Sequence, residues 1–149
     1  MRVGFTGTRE GMTGEQADAF SHRISCLLDF TEFHHGACVG ADADAVDVLW
    51  EMWHNSDMDA RTWDVIAHPG DMPKCLSVAS LRQSNEAKGE KPPLARNRDI
   101  VDSSDTLFAC PRGPEELRSG TWSTIRYARK AGKPVVIFWP DGTVTEEGK

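Results

Sequence analysis

Short apolar runs alternate with longer amphipathic segments along most of this 149-residue chain. The runs have the length and composition of buried strands. We predict five strands, at residues 2–8, 33–38, 63–69, 106–110 and 134–139. Between them, apolar residues recur every three or four positions, which is the spacing of one face of a helix. This alternation predicts an α/β fold in which helices cover both faces of a mainly parallel sheet.

The predicted helices follow the strands, and the first has a clear start signal. Thr13 and Gln16 have the spacing of a capping box, and the apolar face after them continues to Leu28. Further helices are predicted from Ala41, over 94–101 and over 120–131. With right-handed crossovers, these elements give a Rossmann-like three-layer sandwich with a five-stranded sheet.

Two segments lack a periodic pattern. Residues 86–93 are polar and contain glycine and proline, which predicts a mobile loop, and residues 140–149 read as a polar tail. No repeat separates a second unit, and 149 residues suit one hydrophobic core. We therefore predict a single domain over residues 1–149.

Composition and charge narrow the possible partners. A net charge of -6 argues against a protein whose main task is to grip a nucleic-acid backbone, so we expect a small ligand. No apolar run reaches the roughly 18–20 residues of a membrane span, and no signal segment opens the chain, which predicts a cytoplasmic protein. Trp50, Met52 and Trp53 share one predicted helix, and such residues favour a homodimer or higher homo-oligomer.

Small residues follow three of the predicted strands, at 4–9, 36–42 and near 119–121. Open parallel sheets bind ligands beyond the carboxyl ends of their strands, where glycine lets the backbone approach closely and a helix N-terminus attracts phosphate. Together the three loops predict a nucleotide cradle. For any one loop, the alternative is that glycine only makes a tight turn. Neither the GxGxxG nor the GxxxxGK[ST] motif is present.

The candidate binding residues lie in these three loops. They are Gly7, Thr8, Arg9, Gly36, Gly40, Ala41, Asp42, Ser119, Gly120, Thr121 and Trp122. Arg9 has a guanidinium group that pairs well with phosphate oxygens, although an exposed loop arginine is an equal alternative. Trp122 is a candidate for stacking on a base, with burial in the core as the alternative.

Five stretches of the chain together resemble a known superfamily. They are RVGFTGTREGMT, FHHGACVGADADA, HPG, ARNRDIVDSSDTLFACP and SGTWSTIRYARKAGKPVVIF, which cover nearly all of residues 2–139. The pattern resembles the SLOG superfamily, which groups Smf/DprA DNA-processing proteins, LOG phosphoribohydrolases and small stand-alone relatives. The YspA-like or YpsA-like members are the most similar. The resemblance implies a Rossmann-like fold that binds nucleotides or nucleotide-derived ligands along this edge.

The LOG enzymes carry the motif PGGxGTxxE, whose glutamate assists cleavage of an N-glycosidic bond. Gly120 and Thr121 match its GT pair, but Thr124 stands at the position of the glutamate. An arginine upstream in the family is matched by Arg96, with Arg98 as the alternative match and as a further candidate for binding the phosphate. The resemblance therefore implies a ligand site. It does not supply the glutamate that LOG enzymes use for hydrolysis.

Other carboxylates are candidates for that catalytic role. Breaking an N-glycosidic bond develops positive charge on the sugar, which a nearby carboxylate stabilises. Such candidates are Asp42 and Asp44, after the second glycine turn, and Glu115 and Glu116, in the loop before Ser119. We expect Asp42 and Glu116 to be catalytic, together with Arg96. The alternatives are helix capping for Asp42 and a solvated loop for Glu116.

Three functions remain open at this stage. The first is binding or sensing of a nucleotide, the second is hydrolysis of a nucleoside 5'-monophosphate to free base, and the third is a DprA-like DNA-processing role. We predict no cofactor and no metal site. Adjacent strand residues such as His34 and His35 point to opposite faces and cannot both hold one ion.

Overall fold

The structure, a computed structural model, describes residues 1–55 and 63–148. In this part of the chain, a seven-stranded sheet has the order β4-β3-β2-β1-β5-β6-β7. The strands are β1 Arg2–Gly7, β2 Glu32–His35, β3 Asp64–Ala67, β4 Glu86–Ala87, β5 Thr106–Cys110, β6 Val135–Phe138 and β7 Val144–Glu147. The first six run parallel and β7 runs antiparallel to β6. The mostly parallel α/β fold is confirmed.

Five helices connect the strands in the described residues. They are α1 Gly14–Ser25, α2 Ala41–Asn55, α3 Val78–Arg82, α4 Pro93–Asp102 and α5 Gly120–Lys130, with a 3-10 turn at Pro73–Cys75. The capping box of α1 forms as predicted, since Thr13 Oγ1 accepts from Gln16 N at 3.0 Å and Gln16 Oε1 accepts from Thr13 N at 3.2 Å. None of the helices over residues 1–55 and 63–148 has the length and apolar character to cross a bilayer.

Two separate cores lie on the two faces of the sheet. Successive strand residues point to opposite faces, so Phe108 of β5 packs with α1 and α2 while its neighbours Leu107 and Ala109 pack with α5. Phe20 of α1 is fully buried at the centre of the first core. Its ring lies 5.5 to 6.3 Å from four other phenylalanine rings, those of Phe5, Phe33, Phe108 and Phe138.

The prediction of five strands is wrong, because both edge strands lie in segments without a strand-like pattern. Glu86–Ala87 pairs with β3 inside the predicted mobile loop 86–93, and its two residues are too few to show a periodicity. Val144–Glu147 pairs with β6 inside the predicted polar tail, where an edge position keeps its side chains largely exposed. Residue 149, the end of that tail, lies outside the described residues.

The first helix is also shorter than its apolar pattern predicts. It ends at Ser25, with Cys26 as the capping residue, so Leu28 lies beyond the helix and is 99% exposed. The apolar pattern therefore overestimates the length of α1 by about one turn.

Phe20→Ala tests the central position of this side chain in the first core. Removing a fully buried phenylalanine costs about 3–5 kcal/mol of unfolding free energy through lost burial and a residual cavity. Leu28→Ala is the control, and we expect a change within about 0.5 kcal/mol because that side chain is exposed. Urea denaturation of the two variants measures the difference, and equal midpoints would contradict the packing described.

Candidate functional site

A cleft of about 470 Å³ lies at the carboxyl ends of the central strands. The chain moves outward from β1 to β4 and then returns to the other side of β1 for β5, so the strand order reverses beside β1. Ligands of open parallel sheets bind at such a point. The lining comes from the loops after β1, β2 and β5 and from α4. It includes Gly7, Thr8, Arg9, Gly36, Asp42, Arg96, Glu116, Ser119, Gly120 and Thr121.

The first turn of α5 forms one wall of this cleft. Ser119 is its N-cap, and Ser119 Oγ accepts from the amide of Trp122 at 3.2 Å. The amides of Gly120 and Thr121 donate to no acceptor among the described residues. Because a helix N-terminus also carries partial positive charge, these two amides are suited to an anion.

Two arginines of the cleft lining add positive charge without a counterion. Arg9 follows β1, and Arg118 precedes the N-cap of α5. Within residues 1–55 and 63–148, neither guanidinium group forms a hydrogen bond or ion pair. Both remain available to an anionic ligand.

Asp42, in the first turn of α2, forms the other side of the cleft. It is buried, and its Oδ2 accepts from the amides of Gly36 at 3.0 Å and Cys38 at 3.2 Å. The loop after β2 is thereby folded back onto the helix that follows it. Between Gly36 and Cys38, Ala37 has a φ of 53°, a conformation that costs a non-glycine residue energy and is found near functional sites.

Arg96 of α4 reaches the same loop from the opposite direction. Its Nη1 donates to the carbonyls of Gly36 at 2.6 Å and His68 at 3.2 Å, and its Nε donates to Asn97 Oδ1 at 2.7 Å. A Cβ at Gly36 would lie 2.7 Å from Arg96 Nη1 and 2.8 Å from Asp42 Oδ2. A larger residue at this position would displace the buried guanidinium group or the buried carboxylate.

Burial determines the protonation of the two acidic groups here. It raises the pKa of Asp42 to about 6, and the positive charge of Arg96 and the two amides offset this only in part. Burial also raises the pKa of the Cys38 thiol to about 11, so this cysteine stays protonated near neutral pH. Asp42 is consequently a group that can gain or lose a proton close to physiological pH.

Gly40 and Ala41 lie behind the cleft rather than in its lining. Gly40 has a φ of 90°, and a Cβ there would lie 2.4 Å from the carbonyl oxygen of Arg9. The amide of Ala41 donates to the carbonyl of Thr8 at 2.9 Å. These contacts hold the second loop against the first and so bring Asp42 beside the end of β1.

Two further predicted binding residues, Trp122 and Arg98, lie away from the cleft lining. Trp122 is 2% exposed and packs in the second core with its ring 5.9 Å from that of Trp139, so its side chain is not placed to stack on a base. Arg98 lies over the ring of Tyr127 and is absent from the cleft lining. Of the two arginines that match the family position, Arg96 lines the cleft.

The resemblance aligns Thr124 with the glutamate of the LOG motif. Thr124 is also buried and lies outside the cleft lining. Its Oγ1 donates to the carbonyl of Gly120 at 2.9 Å, one turn earlier in α5. The Thr124 hydroxyl therefore bonds to its own helix rather than into the cleft.

Several lining residues were not among the sequence-predicted site residues. Cys38, Asn97, Arg112 and Arg118 all line the cleft. The two arginines are among several basic residues in the C-terminal half of the chain. Cys38 lies in the predicted loop 36–42, whereas Asn97 lies in α4 and had no sequence signal.

Comparisons with known proteins bear on the fold. No protein-family model and no curated protein matches the chain. Its fold is similar to the X-ray structure of TM1055, a structural genomics target, with a TM-score of 0.59 and 15% sequence identity. The match covers 91% of this chain and 72% of TM1055. At this identity, the similarity shows a shared fold.

Asp42→Asn tests the raised pKa. Between pH 4 and 6 the folded chain keeps a proton on Asp42 that the unfolded chain, in which an aspartate has its usual pKa of 3.8, has lost. The contribution of Asp42 to the unfolding free energy therefore falls as pH rises through this window, by up to about 1.4 kcal/mol per unit. We expect the asparagine variant to lack this fall because its side chain does not titrate. The loop should be retained, since the amide oxygen can accept both backbone hydrogen bonds.

Urea denaturation from pH 4 to pH 7 provides the measurement. Asp47→Asn, an exposed position on the same helix, is the matched control and should follow the wild-type curve. Parallel curves for wild type and Asp42→Asn would show that the pKa of Asp42 is not raised.

Proposed function

We propose that this chain binds a nucleotide or nucleotide-derived ligand in the cleft, with its phosphate at the N-terminus of α5. One observation carries the proposal. The free amides of Gly120 and Thr121 line the same cleft as two arginines that have no counterion in the described residues, Arg9 and Arg118. A desolvated anion needs this combination of hydrogen-bond donors and positive charge.

The rest of the cleft supports a ligand larger than a phosphate ion. Its volume of about 470 Å³ is within the range of small-molecule sites, roughly 300–1,000 Å³. Beyond the α5 wall, Asp42 and Asn97 supply acceptors and donors suited to sugar hydroxyls or a base edge.

Self-association stays a prediction. Trp50 and Trp53 of α2 are 41% and 51% exposed, and their ring centroids lie 5.9 Å apart. The two rings supply an exposed aromatic patch of the kind found in interfaces.

Replacing Gly120 tests the phosphate site through a single backbone hydrogen. Gly120→Pro removes the amide N–H, and proline is well tolerated at the first position of a helix. Ser119 has φ -102° and ψ 129°, a conformation compatible with a following proline. We expect affinity for the best-binding nucleotide to fall about tenfold or more, since a hydrogen bond to a charged group contributes roughly 1.5–3 kcal/mol.

Gly120→Ala is the matched control because it retains the amide. A Cβ at this position has no described atom within 4 Å, so the alanine variant should bind like wild type. Isothermal titration calorimetry against a panel of nucleotides measures both, and thermal unfolding without ligand checks that both fold. Equal affinities for the proline and alanine variants would contradict a phosphate site at this amide.

A second candidate function is hydrolysis of the N-glycosidic bond of a nucleoside 5'-monophosphate. The observation that favours it is a buried carboxylate, Asp42, which lines the cleft with its pKa raised to about 6. Above that pH the carboxylate is ionised and can stabilise the positive charge on the sugar or orient water. The hydroxyl of Thr124 at the family glutamate position argues for binding without turnover.

Base release measured by chromatography separates the two functions. If Asp42 is catalytic, kcat/KM should rise with pH through about 6, and Asp42→Asn should lower kcat by about 100-fold or more while nucleotides still bind. If concentrated wild-type protein cleaves no nucleotide that it binds, the chain is a binding protein.

A further inference from the structure

Arg112 connects two loops of the cleft lining, those after β1 and after β5. Its Nη1 donates to Glu10 Oε1 at 2.9 Å, in the loop after β1. Its Nε and Nη2 donate to both oxygens of Glu116, at 3.1 and 2.8 Å, in the loop before α5. All three side chains line the cleft together with the first turn of α5. We call this trio the Arg112 clasp.

The carboxylates of the clasp occupy the positions that the oxygens of an anionic ligand would take. A guanidinium group binds phosphate with the same paired hydrogen-bond geometry that it uses for carboxylate. The hydrogen bond from Arg112 also lowers the pKa of Glu116, so this carboxylate is ionised at neutral pH. The clasp therefore places two negative charges and one positive charge in the lining of a cleft suited to an anion.

Because the clasp is exposed, its ion pairs can be broken at little energetic cost. The side chains of Arg112, Glu10 and Glu116 are 54%, 65% and 39% exposed. Ion pairs that face water contribute little to stability, because solvent screens them and ordering the side chains costs entropy. Breaking this clasp therefore costs the fold little, whereas a ligand anchored elsewhere in the cleft gains a charge-assisted contact.

We propose that Arg112 is a specificity-determining residue that exchanges Glu10 and Glu116 for the anionic group of the ligand. The inference rests on the proposed function. The two carboxylates compete with the ligand for the guanidinium group and repel any anion that approaches it. A free anion such as inorganic phosphate must overcome this competition alone, whereas a larger ligand draws on the rest of the cleft.

The adjacent carboxylate Glu115 offers a matched control. It pairs with Arg126 Nη1 at 3.0 Å and Arg129 Nη1 at 3.5 Å, and it has no contact with Arg112. Its pKa is lowered mainly by the hydrogen bond with Arg126, so it carries the same charge as Glu116. Glu115→Gln and Glu116→Gln thus make the same change in net charge, one residue apart.

Titration calorimetry with inorganic phosphate and with the best-binding nucleotide tests the proposal. We expect Glu116→Gln to raise the affinity for both by about threefold or more, because a competing charge is removed, and Glu115→Gln to change it by less than about twofold. Arg112→Gln should lower nucleotide affinity by about tenfold, the loss of one charge-assisted contact. In the Arg112→Gln background, Glu116→Gln should give a smaller gain than in wild type.

The outcomes separate this inference from the proposed function. One outcome is that nucleotides bind and Gly120→Pro lowers their affinity, while Glu116→Gln and Glu115→Gln change it equally. The proposed exchange at Arg112 is then wrong, and the phosphate site stands. If Arg112→Gln raises affinity, Arg112 serves only to hold the two loops together, and the proposal is also wrong. If neither wild type nor Glu10→Gln/Glu116→Gln binds phosphate or any nucleotide, both proposals fail.

Discussion

The pair of hydrogen bonds that holds the backbone of Gly36 between a buried carboxylate and a buried guanidinium group is the interaction on which the site depends. Asp42 accepts the amide hydrogen of Gly36, while Arg96 donates to its carbonyl. These two contacts join the first turn of α2 and the helix α4 to one loop between them. Because a side chain at Gly36 would displace one or both groups, the missing side chain of glycine lets both contacts form.

Charge is distributed unevenly around the cleft, and this distribution connects the two proposals. The buried end contains one carboxylate and one guanidinium group, Asp42 and Arg96, which compensate each other in part. The rest of the lining includes the free amides of α5, two arginines without counterions in the described residues and the Arg112 clasp. A ligand with an anionic end and an uncharged polar body matches this distribution.

Local sequence signals predicted most of the elements and much of the cleft lining, and the errors have specific physical causes. β4 and β7 were missed because edge strands need little apolar character, and β4 has only two residues. Trp122 was assigned to the cleft because it follows Thr121. In a helix each residue turns by about 100°, so a neighbour of a lining residue can face the core. Leu28 was assigned to α1 because the helical spacing of apolar residues continues to it and no glycine or proline marks an earlier end.

The sequence by itself determined the strands of the sheet interior, the capping of α1 and the loops whose small residues approach a ligand. These features depend on local preferences and on alternation of apolar positions, which a short stretch of chain carries in full. Only the tertiary structure decided which side chains meet in the cleft. Arg112 and Glu10 are 102 positions apart, and Arg96 and Gly36 are 60 apart. Such contacts follow from the order of strands in the sheet, which no local pattern specifies.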